Sequence, residues 1–162
     1  MEHRSLIAAR WAAPAAAWWC IAFAGLHLYW ALGGSTGLAS SAGQDLASRR
    51  PATFVVFGLY GVALTLLAGA ALIVLVSIPG PMHRRSAPTA LVGVIGIGLL
   101  MRGVALEILL ATDVAGLRAR VGPLEARWSQ VLWNPWFALG GALFIATALQ
   151  LRRRPDQRQQ VQ

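Results

Sequence analysis

The chain has 162 residues, of which 57% are hydrophobic and only 12% charged. Soluble domains carry about a quarter charged residues, so this composition excludes an ordinary water-soluble fold and points to an integral membrane protein. The formal net charge of +8 would raise nucleic-acid binding in a soluble protein; here the basic residues are divided among the ends of apolar runs, with no continuous stripe to follow a phosphate backbone, and no nucleic-acid partner is expected.

The first apolar run extends from Ala12 to Leu32, with Arg4 and Arg10 before it. A charged start and an apolar run superficially resemble a signal peptide, but the run is long, ends in Trp-rich sequence and has no lipobox before Cys20, so no cleavage is expected. Cys20 is the single cysteine, which excludes an intramolecular disulfide and the paired-cysteine thiol oxidoreductases. The run closes on "HLYWALGG", which places the imidazole of His27 among hydrocarbon before Gly33 and Gly34 release the chain.

A polar loop follows, "GGSTGLASSAGQDLASRRP", and then a second run from Ala52 to Ile78. A Pro/Gly turn, "PGPMHRRSAP", leads to the third run, Pro88 to Ala111, and a more charged loop, "TDVAGLRARVGPLEARWSQ", to the fourth, Val131 to Leu151. At about 1.5 Å per residue each run is long enough to cross a hydrocarbon core of about 30 Å. The predicted fold is therefore all-α: one domain over residues 1–151, an antiparallel bundle of four transmembrane helices, with a disordered basic tail over 152–162.

All fourteen basic residues are arginine. With the N-terminus in the cytoplasm, Arg4, Arg10, Arg84, Arg85, Arg152, Arg153, Arg154 and Arg158 fall inside, and Arg49, Arg50, Arg118, Arg120 and Arg127 outside. The positive-inside rule then favours both termini in the cytoplasm of a cell-membrane protein. Indoles favour the two interfaces: Trp11, Trp18 and Trp19 would mark the inner belt, and Tyr29, Trp30, Trp128, Trp133 and Trp136 the outer one. In the last loop Leu124, Trp128 and Val131 lie at helical spacing opposite Glu125 and Arg127, the pattern of a short amphipathic helix on the outer surface.

Small residues recur at close-packing intervals: Gly61, Thr65 and Gly69 in the second run, Ala138, Ala142 and Ala146 in the fourth, and Gly96, Leu100, Gly103 and Glu107 along one face of the third. These read first as helix contacts. Buried charge is more informative, because an ionised side chain at the bilayer centre costs about 2.5 to 3.5 kcal/mol even on a lenient scale. Arg102 and Glu107 are five positions apart and so about 140° apart around the helix, so each needs a partner elsewhere, and Arg102 is expected to point into the bundle.

Placed by depth, His27, Thr53, Tyr60, Arg102, Glu107 and Asn134 all fall in the outer half of the bundle, with Asp113 at its rim. Two readings follow. In one, this half holds a polar site for a lipophilic small molecule and carries acid–base chemistry of isomerase or cyclase type, with His27, Glu107 and Arg102 catalytic. Tyr60, Asn134, Trp30, Trp133, Trp136 and Asp113 would then bind the substrate. In the other, the chain is a non-enzymatic membrane subunit or scaffold whose polar residues hold its own helices, or a partner's, together. Asn134 before Pro135 is also the usual composition of a helix start. Membrane lipids are expected partners, and an oligomer or partner subunit is compatible with both readings. No cofactor is expected: His27, Glu107 and Asp113 lack metal-ligand spacing, and no second histidine faces His27 for haem.

At "HLYWALGG", "ASRRPATFVVFGLYG", "RGVALEILL" and "GPLEARWSQVLWNPWFALGG" the chain resembles a family of small bacterial four-helix membrane proteins, a domain of unknown function. The likeness runs over about residues 15–150. It implies the four-span architecture and an actinobacterial type of source, and brings no activity with it. A looser likeness to sterol-isomerase-type and membrane terpene-cyclase proteins, in the polar residues inside a small bundle, is analogy only.

Overall fold

A computed structural model describes residues 11–78 and 86–153, and every regular element among them is helical. Helix α1 is Ala12–Ala31, followed by two short helices, α2 (Leu38–Ala42) and α3 (Gln44–Arg49). Helix α4 starts as a wide π-type turn, Phe54–Tyr60, and continues as Gly61–Ser77; α5 is Ser86–Ala111. After a 3-10 turn at Val114–Gly116 comes α6 (Leu117–Val121). Helix α7 opens as Pro123–Trp128, widens into a π turn at Ser129–Trp133 and runs on as Asn134–Arg153.

Helices α1, α4, α5 and α7 contain four stretches long and apolar enough to cross a membrane, of 20, 24, 26 and 30 residues. The first three end within two residues of the predicted runs. The fourth does not: its helix starts at Pro123, and the segment expected to lie apart as an amphipathic surface helix is its first turns. Trp128, Ser129 and Asn134 all keep right-handed helical dihedrals, so nothing breaks the rod. The wide turn explains how Pro135 is tolerated. Proline cannot bond the carbonyl four residues back and its ring strikes it, and an extra residue in the turn moves that carbonyl away. Asn134 is consequently inside a helix rather than at its start.

Of the residues in the positive-inside argument, Arg4, Arg10, Arg84, Arg85, Arg154 and Arg158 lie outside the described residues, as do His3, His83 and the tail from residue 154.

Helix α1 packs along α4 and along one face of α7, while α5 takes a neighbouring face of α7; α4 and α5 touch little, and α1 and α5 less still. The α5–α7 contact is backbone on backbone. A Cβ at Gly103 would lie 2.6 Å from the Asn134 carbonyl oxygen and 2.8 Å from the Ala138 nitrogen, and one at Gly96 would lie 2.8 Å from the Phe144 Cβ. Such close approach is what small residues permit in membrane helices. The predicted glycine face of α5 is therefore a helix contact. Its counterpart on α7 is Asn134, Ala138, Gly141 and Ile145; of the predicted alanine row Ala138 belongs to this contact, whereas Ala142 is exposed. In α4, Gly69 packs near Cys20 and Phe144, whereas Thr65 is exposed and donates its hydroxyl to its own helix at Gly61.

The α1–α7 contact is aromatic. Trp19, Phe23, His27 and Trp30 recur every three or four residues and so line one face of α1. Trp19 stacks on Trp136 with ring centres 5.7 Å apart and meets Phe144 edge-on at 6.4 Å. Phe23 contacts Phe137 at 5.6 Å, and Trp30 contacts Trp133 at 5.9 Å. Pairs in this range contribute about 0.5 to 1.5 kcal/mol each beyond simple burial. The expected belts are thereby corrected: Trp11, Trp18, Tyr29 and Trp128 are exposed, but Trp19, Trp30 and Trp133 are buried in this ladder.

The loops form a structured cap over one end. At the end of α1, Gly33 takes a left-handed φ of 110° and the Gly34 N–H donates back to the Tyr29 carbonyl at 2.9 Å, a glycine helix stop. Buried Leu38 anchors α2. The Trp133 indole N–H donates to the Ser40 carbonyl at 2.9 Å, and the first N–H of α3, at Gln44, donates to Glu125 of α7 at 3.3 Å. At the end of α5, the Arg118 guanidinium donates to the carbonyls of Leu110 at 2.7 Å and Ala111 at 3.0 Å, satisfying acceptors that the helix leaves open.

Candidate functional site

The polar residues of the loop-side half fall into separate groups. His27 is buried on α1, and its Nδ1 donates to the Phe23 carbonyl at 2.9 Å; because a carbonyl only accepts, the hydrogen is on Nδ1. Its ring packs against Phe23 at 4.6 Å and Trp30 at 5.2 Å. The imidazole is thus a member of the aromatic ladder tied to its own helix.

Glu107, partly buried on α5, accepts a hydrogen bond from Asn134 Nδ2 at 3.0 Å. The Asn134 side chain is only 1% exposed, and its Oδ1 is buried with no hydrogen-bond partner. The same is true of the Trp136 indole nitrogen, although the Trp136 carbonyl accepts from the Trp19 indole at 3.1 Å. Glu107 and Asn134 meet because Gly103, one turn away, brings the two backbones together.

His27 and Glu107 are not partners. Neither a hydrogen bond nor an ion pair joins them among the described residues, because α1 and α5 occupy different faces of α7. Arg102 corrects another expectation. It is exposed rather than turned inward, with its guanidinium carbon 4.2 Å from the centre of the Phe137 ring. That face-on cation–π contact is its stabilising interaction, and its charge is not paired with Glu107: the ion pair found among the described residues is Arg49 with Asp45 at 2.7 Å, on the surface.

The remaining candidates scatter. Tyr60 is exposed in the wide turn of α4. Asp113 is exposed beyond the end of α5, at a left-handed φ of 48°, where its Oδ1 accepts from the Arg118 N–H at 2.9 Å and shapes the turn. The Trp30 indole donates to the Thr36 carbonyl at 2.8 Å. Trp30 and Trp133 therefore hold the loop cap down, and Trp136 packs against Trp19 and Phe23. Among the described residues no group of His, Cys, Asp and Glu converges as a metal site.

Among the described residues, two surface grooves are lined by side chains other than His27, Arg102, Glu107 and Asn134. One, of about 400 Å³, lies beside α6 and the first turns of α7; the other, of about 190 Å³, lies between α5 and α7 at the far end, around Gly93 and Ala148. Trp19, Phe23 and Phe137 were not among the predicted functional residues, although they organise this region. The spacing of Trp19, Phe23, His27 and Trp30 is the signal that marks them as one face.

No curated protein and no solved structure matches the chain. A family model described as "Protein of unknown function (DUF3995)" matches residues 20–144, a span that includes His27, Arg102, Glu107, Asn134 and the whole loop cap. On that match, which takes in most of its length, the chain belongs to the DUF3995 family.

Proposed function

We propose that this protein is a non-enzymatic subunit of a cell membrane, a single-domain antiparallel four-helix bundle with both termini in the cytoplasm, whose intramembrane polar residues tie helices together. The observation that carries this reading is the Asn134–Glu107 hydrogen bond across the backbone contact of α5 and α7. It engages Glu107, the carboxylate of α5, with a neighbouring helix instead of with His27. Arg102 fits the same reading. Exposed among Met101, Val104 and Ile108, it is a cation on an apolar helix face, where an anionic group of a partner would be favoured. The cytoplasmic termini rest on the arginine count, eight against five.

A second reading, a bound lipophilic small molecule with proton-transfer chemistry at Glu107, is favoured by Asn134 Oδ1 and the Trp136 indole nitrogen, a buried acceptor and a buried donor without partners. Mass spectrometry of metabolites retained by the purified protein separates the two. The subunit reading expects no stoichiometric small molecule and an unfolding midpoint that falls in Glu107→Ala. A retained metabolite lost in Asn134→Leu, with the fold intact, would replace it with the second.

A further inference from the structure

The groove beside α6 is built differently from the rest of the loop-side surface. Pro123, Ala126, Gln130 and Val131 lie at helical spacing along one face of α7 and form its wall, and Arg118 and Arg127 supply two guanidinium groups. Arg118 is not a free surface chain. Its Nε and one Nη are already bonded to the carbonyls that end α5, which fixes the guanidinium in place and leaves its other Nη to donate. Arg127 is exposed and forms no ion pair among the described residues; Glu125, its near neighbour, is turned to the other side, toward Gln44.

The level of the groove is informative. Leu110 and Ala111 close the apolar stretch of α5 there, and Val131 is an exposed apolar residue at the edge of the groove on α7. Two cations beside apolar wall residues, at the depth where hydrocarbon gives way to water, match an amphiphile whose charged group is anionic. About 400 Å³ falls within the range of small-molecule sites.

We infer that this groove binds the headgroup of an anionic phospholipid, with the phosphate between Arg118 and Arg127 and the start of the acyl chains along Val131. The inference rests on the membrane placement proposed above. Guanidinium is the side chain best suited to phosphate, since it offers paired donors in a fixed plane.

The test is native mass spectrometry of the full chain in a maltoside detergent, titrated with phosphatidylglycerol, phosphatidylcholine or inorganic phosphate. Phosphatidylglycerol adducts should exceed phosphatidylcholine adducts, and Arg127→Gln should weaken phosphatidylglycerol binding about fivefold while Arg120→Gln, outside the groove, leaves it unchanged. Arg127→Gln should fold, because Arg127 is exposed and forms no hydrogen bond or ion pair among the described residues, and an unchanged unfolding midpoint checks that. Equal retention of the two lipids overturns the inference, as does an equal loss in Arg120→Gln, which would mean diffuse charge attraction. Displacement of the lipid by millimolar phosphate would also overturn it, in favour of a soluble anion. Membrane placement is read separately, from whether the expressed chain fractionates with membranes and resists alkaline extraction, so the two can fail independently.

Discussion

Replacing Gly103 with alanine puts a methyl group where the backbones of α5 and α7 touch. The new carbon would lie 2.6 Å from the Asn134 carbonyl oxygen, against about 3.4 Å for an ordinary contact, so the helices must part by about 0.8 Å. Both near atoms are backbone, so no side-chain rotation relieves the clash. The same movement would stretch the 3.0 Å Asn134–Glu107 bond to about 3.8 Å, beyond hydrogen-bond range. Overpacking costs about 1 to 3 kcal/mol and the lost bond about 0.5 to 1.5, offset by about 1 from the better helix propensity of alanine. A net loss of about 2 kcal/mol follows. Gly98 provides the internal control, since a Cβ there meets nothing within 4 Å; Gly98→Ala should be neutral or stabilise by up to about 1 kcal/mol. Unfolding in mixed micelles by added dodecyl sulfate, followed by tryptophan fluorescence, measures both. If Gly103→Ala proves as stable as Gly98→Ala, the backbone contact and the argument built on it are wrong.

In the same assay Glu107→Gln should change stability little, because the glutamine carbonyl still accepts from Asn134, whereas Glu107→Ala orphans that donor and should cost about 1 to 3 kcal/mol. Equal midpoints for the two would remove the role given to the bond. Trp19→Ala takes away ring contacts with Phe23, Trp136 and Phe144 together with an indole hydrogen bond, and should cost about 3 to 5 kcal/mol. A loss no larger than that of the exposed Trp18→Ala would contradict the ladder. Arg102→Leu should cost the isolated protein no more than the about 0.5 to 1 kcal/mol of its contact with Phe137 while diminishing any larger assembly on blue-native gels; an unaltered assembly would sink the partner role of Arg102.

The four long helices were legible because a run of twenty apolar residues has one reading, and Gly33 with Gly34 marked the end of the first correctly. The start of α7 was not. Asn134-Pro135 is the grammar of a helix beginning, and only the wide turn at Ser129–Trp133, a tertiary accommodation with no residue signature, lets a helix pass through it. At the candidate site, depth along each helix could be counted from the sequence, but not the angle at which helices face one another. His27 and Glu107 are at similar depth and on helices that scarcely touch. The inward direction assigned to Arg102 assumed that charge must be buried in protein; the face of Phe137 offers an alternative on the exposed side.

The position of α7 has a consequence for how the chain is made. Synthesis runs from the N-terminus, and α1 with α4 has a packed surface available early. Helix α5 does not: its glycine face fits α7, and it makes little contact with α4. Until α7 emerges, α5 waits with Gly96, Gly103 and Glu107 unmatched, and the aromatic face of α1 waits with it. A nascent chain arrested before Asn134 would hold one formed hairpin and one solitary helix, the state most exposed to quality-control proteases. Stability in this fold is therefore delivered only once α7 has been made.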